Sequence, residues 1–145
     1  MDRDPALDRL SPLVGDWSMQ TSLGPALGRA SFEWELGGHY LVERIGVPEV
    51  PEAPDSLAVI GLDSQGSYLQ HYYDSRGVTR LYSMTFEDGT WTLLRDKPDF
   101  SPLHFRQRWV GELSPNGNTI DGRWEIAEDG GEWRLDFTVV LHRLA

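Results

Sequence analysis

The 145-residue chain reads as all-β, a single up-and-down antiparallel β-barrel of about ten strands with a short N-terminal helix. Three observations predict this. Beyond Gly15, apolar and polar residues alternate at a period of two over most of the sequence. Turn chemistry rich in Gly, Asp, Asn and Ser returns roughly every 8 to 12 residues. The turns are too short for anything but antiparallel neighbours, and closing the sheet removes its two exposed edges.

The elements follow in order. Pro5 is pre-set for a first helical turn with Asp4 as N-cap, and Leu7, Leu10 and Leu13 recur at helical spacing. This helix ends near Pro12 or Gly15, so residues 1–14 form a plug and 15–145 the barrel of one domain. Trp17, Met19, Thr21 and Leu23 then alternate with polar residues. After a turn expected at 24–28, Ala30, Phe32, Trp34 and Leu36 do the same. Gly37-Gly38 turns the chain into a third strand, HYLVERIGV, and the proline-bearing PEVPEAPDS reads as a loop. LAVIGLD, SYLQHYYD, VTRLYSMTF and TWTLLRD follow, separated by DSQG, DSRG and EDG. A second loop, KPDFSP, leads to LHFRQRWVGEL, TIDGRWEIA and EWRLDFTVVLHRL.

Alternation also assigns faces. Trp17, Met19, Phe32 and Trp34 point inward, as do Val78, Arg80, Tyr82, Met84 and Phe86. Trp91, Leu93, Phe105, Gln107 and Trp109 join them, leaving Arg106 and Arg108 outside. Ile120, Trp124 and Ile126, then Trp133, Leu135, Phe137 and Val139, complete the expected lining. Strands 39–47 and 68–74 alternate too poorly for their faces to be assigned.

Composition narrows the function classes. Thirteen basic against twenty-three acidic residues leave a net charge of -10, which opposes nucleic acid and anionic lipid surfaces. No cysteine is present, so there is no disulfide framework and no thiolate nucleophile. MDRDPALDRL has no apolar h-region and no run approaches a membrane span, so the chain reads as cytoplasmic and off the membrane. Six tryptophans, five tyrosines and five phenylalanines build an aromatic interior, and a barrel of this strand number favours an internal pocket.

Gly15-Asp16-Trp17, just after the short helix, resembles the G-x-W element of the lipocalin and fatty-acid-binding superfamily. The longer pattern YYDSRGVTRLY, GTWTLLRDKPDF and TIDGRWEIAEDGGEWRLDF resembles a group of small uncharacterised bacterial proteins with a lipocalin-like (calycin) barrel. The resemblance implies the fold and a buried tryptophan at the closed end. Fatty-acid-binding proteins hold a ligand carboxylate with an Arg-x-Tyr pair on their last strand. Arg80-Leu81-Tyr82 is similar, at mid-chain. Nitrobindin-like barrels bind haem through a late-strand histidine, for which His142 is the positional counterpart, on the wet parity of its strand.

The chemistry-bearing candidates are few. Arg80 and Tyr82, two apart on one strand, place a guanidinium fork and a phenol on one side, suited to a carboxylate in an apolar setting. The alternative is that Arg80 pairs with a buried acid or stacks on a tryptophan. The four histidines show no metal spacing; His71, beside Tyr72 and Tyr73, is the one expected to border the pocket. There is no nucleophile elbow, and Asp74-Ser75-Arg76-Gly77 reads as a tight turn, so no catalytic or metal-ligating residue is assigned. The expected ligand-binding set is Trp34, His71, Tyr73, Arg80, Tyr82, Met84, Trp109 and Trp124. The first functional reading is binding or carriage of a small hydrophobic molecule with a carboxylate head, with no resident cofactor. The alternatives are a haem-binding barrel, an enzyme using Tyr72, Tyr73 or His71, and a ligand-free interaction module forming a homodimer.

Overall fold

In a computed structural model, which describes residues 3–128 and 130–145, the ten strands close into one antiparallel barrel. They are β1 (Gly15–Thr21), β2 (Gly24–Glu35), β3 (Tyr40–Gly46), β4 (Ser56–Leu62), β5 (Tyr68–Asp74), β6 (Thr79–Glu87), β7 (Thr90–Arg95), β8 (Phe105–Leu113), β9 (Thr119–Glu128) and β10 (Arg134–Arg143). Each strand pairs with its predecessor, and β10 returns to β1 through Trp17 opposite Arg143 and Met19 opposite Leu141. The first hairpin is tighter than the sequence predicts. Its turn falls at Ser22-Leu23, and Gly24 already pairs with Thr21 across a register irregularity. Among the described residues no helix is long and apolar enough to cross a membrane.

The N-terminal segment seals one end of the barrel. Asp4 caps helix α1 (Pro5–Asp8) by accepting from the Ala6 amide at 2.8 Å. A 3-10 turn at Ser11–Leu13 follows, and Leu7, Leu10 and Leu13 are all buried. Trp17 donates its indole N–H to the Leu13 carbonyl at 3.0 Å, and the Arg143 guanidinium lies 4.2 Å above its ring. Arg143 also donates to the Val14, Pro12 and Gly117 carbonyls, tying the last strand to the plug.

Above the plug the interior is packed with rings. Phe32 meets Trp91 (5.8 Å between centroids), Trp91 meets Trp109 (5.5 Å), and Trp109 meets Trp124 (5.4 Å). Trp124 meets Tyr82 (5.8 Å), and Tyr82 meets Tyr72 (6.4 Å). The contacts are tilted or edge-on, the arrangements that ring quadrupoles favour. Trp109 fits because Gly111 and Gly122 face each other beneath it. A Cβ on Gly122 would stand 2.2 Å from its ring, and one on Gly111 2.9 Å.

One stretch of the expected lining is corrected. The β9–β10 register slips between Leu135 and Phe137, so Asp136 is an extra residue on β10. Because side chains alternate at a period of two, one inserted residue exchanges the faces. Phe137 and Val139 stay inward, but Leu135 is 55% exposed. Trp133 lies outside, where the guanidinium groups of Arg108 and Arg106 stack on it at 4.2 and 5.0 Å.

Candidate functional site

The end away from the plug is open. There, Ile45, Tyr72, Arg80, Phe105, Trp124, Ile126 and Phe137 share the inward face yet are only half-buried. Deeper inward residues such as Tyr82, Met84, Trp91, Leu93 and Trp109 are buried. The interior is therefore a basin over a packed floor. Two concavities, of about 550 and 570 Å³, lie away from Arg80 and Trp124, although Ile45 also borders the first. The first is a cleft holding Asp16, Arg29, Arg44, Leu57 and Tyr73; the second flanks the plug at Ala6, Arg9 and Tyr68.

Arg80 and Tyr82 meet on one atom. The Tyr82 hydroxyl donates to Gln107 Oε1 at 2.7 Å, and Arg80 donates to the same oxygen at 3.3 Å. Burial pushes the Tyr82 phenol up, which keeps it a neutral donor at ordinary pH. The Arg80 guanidinium stands 5.6 Å over the Phe105 ring and forms no ion pair among the described residues. Arg95, also inward, behaves differently. It donates to Asp99 at 2.8 and 2.9 Å, and each side chain is 4% exposed. Asp99 also accepts from the backbone amides of Leu81 and Ser101. Arg95, these amides and nearby charge hold its carboxyl far below the usual carboxylate range, against the opposing effect of burial.

Next to Arg80, the Tyr72 hydroxyl donates to Asp74 at 2.8 Å, and Arg76 donates to the same carboxylate at 2.7 Å. Burial favours the protonated acid, but hydrogen bonds from Arg76, Tyr72 and two backbone amides outweigh it and hold Asp74 at about 2. These side chains close the DSRG turn. Glu43 lies inward on β3, 7% exposed, and burial raises it to about 7. Gln70, 2% exposed, is paired with Tyr82, and its Oε1 has no hydrogen-bond partner.

The expected binding residues therefore divide. Arg80, Tyr82 and Trp124 come together at the basin, with Trp109 in its floor. Trp34 sits at the plugged end under the Arg3 guanidinium (3.8 Å), and Met84 is buried in the lower core. His71 and Tyr73 do not line the interior. Their partners Leu81 and Thr79 share the outward parity, His71 lies against Phe100, and Tyr73 lines the outer cleft. Glu43, Gln70, Tyr72, Arg95 and Gln107 are inward polar residues absent from that set. Poor alternation along 39–47 and 68–74 is the signal left by Glu43, Gln70 and Tyr72, because a polar residue on the inner face erases the period.

Haem fits this interior poorly. His71 and His142 both project from the outer face, and His39 and His104 are exposed in connecting segments. None of the four offers an axial ligand from within the barrel.

No family model and no curated protein matches the chain. Among solved structures it is similar to the crystal structure of Rv2717c from M. tuberculosis, with a TM-score of 0.65 and 16% identity, over 99% of this chain and 100% of that one. At this identity the likeness is one of fold, a small β-barrel shared over its whole length.

Proposed function

We propose that the open end of the barrel binds a small amphiphile, its apolar or aromatic body against Trp124, Tyr72, Phe105 and Phe137 and its acidic head on Arg80. One observation carries this reading. Of the inward arginines on β6 and β7, Arg95 is neutralised by Asp99, while Arg80 faces the basin with only a neutral amide oxygen. A half-buried cation lacking a counter-charge is poorly solvated, and a carboxylate there forms charge-assisted hydrogen bonds to its planar fork. The aromatic walls supply apolar area. Among the described residues no nucleophile–base pair accompanies them, and binding or carriage is the reading.

Fluorescence titration with 2-naphthoate and its neutral counterpart 2-naphthylmethanol tests it. A hydrogen bond to a charged group contributes about 1.5–3 kcal/mol, so Arg80→Met weakens 2-naphthoate roughly ten- to a hundredfold and leaves the alcohol unchanged. Equal losses for both probes, or none, would refute the role of Arg80.

A further inference from the structure

We infer that the basin has a second pole, at Glu43 and Gln70, and that its ligand carries a protonated amine or similar N–H donor group besides its acid: an amphoteric aromatic molecule. The inference rests on the reading of Arg80 above and extends it.

The register places Glu43 among apolar side chains. Its inward neighbours on β3 are Leu41 and Ile45, and its cross-strand partners are Phe32 and Ala58. It makes no hydrogen bond or ion pair among the described residues, although an unpartnered buried carboxylate is costly. Arg80 does not relieve it. The two stand in one cross-strand row, Phe32–Glu43–Ala58–Tyr72–Arg80, with Ala58 and Tyr72 between them. Beside that row lies Gln70, whose Oε1 is a second buried acceptor without a donor.

Besides Gln70 Oε1, the buried unpartnered atoms among the described residues are the indole nitrogens of Trp91 and Trp109, which belong to the packed rings on β7 and β8. The β3–β5 wall thus offers two acceptors, the Glu43 carboxyl and Gln70 Oε1, that no donor among the described residues satisfies, and the β6–β8 wall offers, in Arg80, a cation without an anion. A molecule with an acid at one end and an ammonium at the other complements both. It would draw Glu43 into its ionised form and release a proton.

The probes are 2-naphthoate, 2-naphthylmethylamine and 6-(aminomethyl)-2-naphthoate, titrated against the wild type and Glu43→Gln. The variant keeps the side-chain shape, and circular dichroism verifies its fold. The amphoteric probe is expected to bind the wild type about tenfold or more tighter than 2-naphthoate, with that advantage gone in Glu43→Gln. Equal affinities in the wild type, or an advantage that survives Glu43→Gln, overturns the proposal. Glu43-dependent binding of the amine with no binding of 2-naphthoate upholds the Glu43 pole and refutes the Arg80 head-group site instead.

Discussion

Tyr82 and Gln107 lie on strands that do not pair, yet the tyrosine hydroxyl donates to the glutamine oxygen at 2.7 Å across the inner face of β7. Arg80 reaches the same oxygen, so one amide positions both members of the Arg-x-Tyr pair. Gln107→Glu would give Arg80 an internal carboxylate. The expected result is an intact fold whose affinity for 2-naphthoate falls about tenfold or more. Gln107→Leu leaves two polar groups unpartnered and lowers unfolding stability by about 1–3 kcal/mol, read by urea denaturation.

Stability should also depend on pH through Glu43. Its carboxyl is raised by burial from 4.5 to about 7, so between those values the folded protein binds the proton more tightly than the unfolded chain. Stability then falls as pH rises from about 4.5 to about 7, by roughly 3 kcal/mol, and this contribution is level above that. Asp74, held at about 2, acts in the opposite sense: its contribution is present above about 4 and lost as pH falls toward 2. Denaturation midpoints measured from pH 4.5 to 7.5 should decline in the wild type, with the slope strongly reduced in Glu43→Gln. A flat wild-type profile would contradict this account of Glu43.

Asp99 fastens the loop between β7 and β8. The β6–β7 ladder stops at Ser83 opposite Leu94, and beyond it the Leu81 amide is taken by the Asp99 carboxylate at 2.9 Å. Asp99→Ala strands the buried Arg95 and frees that amide. A loss of about 3–5 kcal/mol is expected, with hydrogen exchange at Leu81 accelerated ahead of exchange at Ser83. Unchanged exchange at Leu81 would show that the loop is held by other contacts.

Gly122 is a packing position. An added methyl would meet the Trp109 ring 2.2 Å away, and that ring is flanked by Trp91 and Trp124. Gly122→Ala is expected to cost about 1–3 kcal/mol and to shift tryptophan emission as the rings re-pack. Gly66→Ala, in a turn with a positive φ but open space, tests the contrast: its cost comes from the backbone alone and leaves the emission unmoved.

Legibility followed the inner face. Along β6, Tyr82 and Met84 are buried and Ser83 and Thr85 exposed, so alternation alone placed Arg80 on the basin side. Along β5 it failed, because Gln70 and Tyr72 put polar atoms inside while Tyr73 stands outside. His71 and Tyr73 were selected there on chemistry and lie on the wrong face. On β10 the pattern was plain but the conclusion wrong for Trp133 and Leu135, since a one-residue bulge is invisible to periodicity.

The sequence by itself determined the class: a period of two, short turns and a capped leucine helix leave little besides a plugged antiparallel barrel. Those features act between near neighbours in the chain, so they can be read locally. Only the tertiary structure decided which polar residues share a wall. Arg95 and Asp99, Arg80 and Gln107, and Glu43 and Gln70 gain or lack partners through register and closure across strands. A charge buried with a partner and one buried without look alike in a sequence, and folding separates them by the counter-charge it brings near.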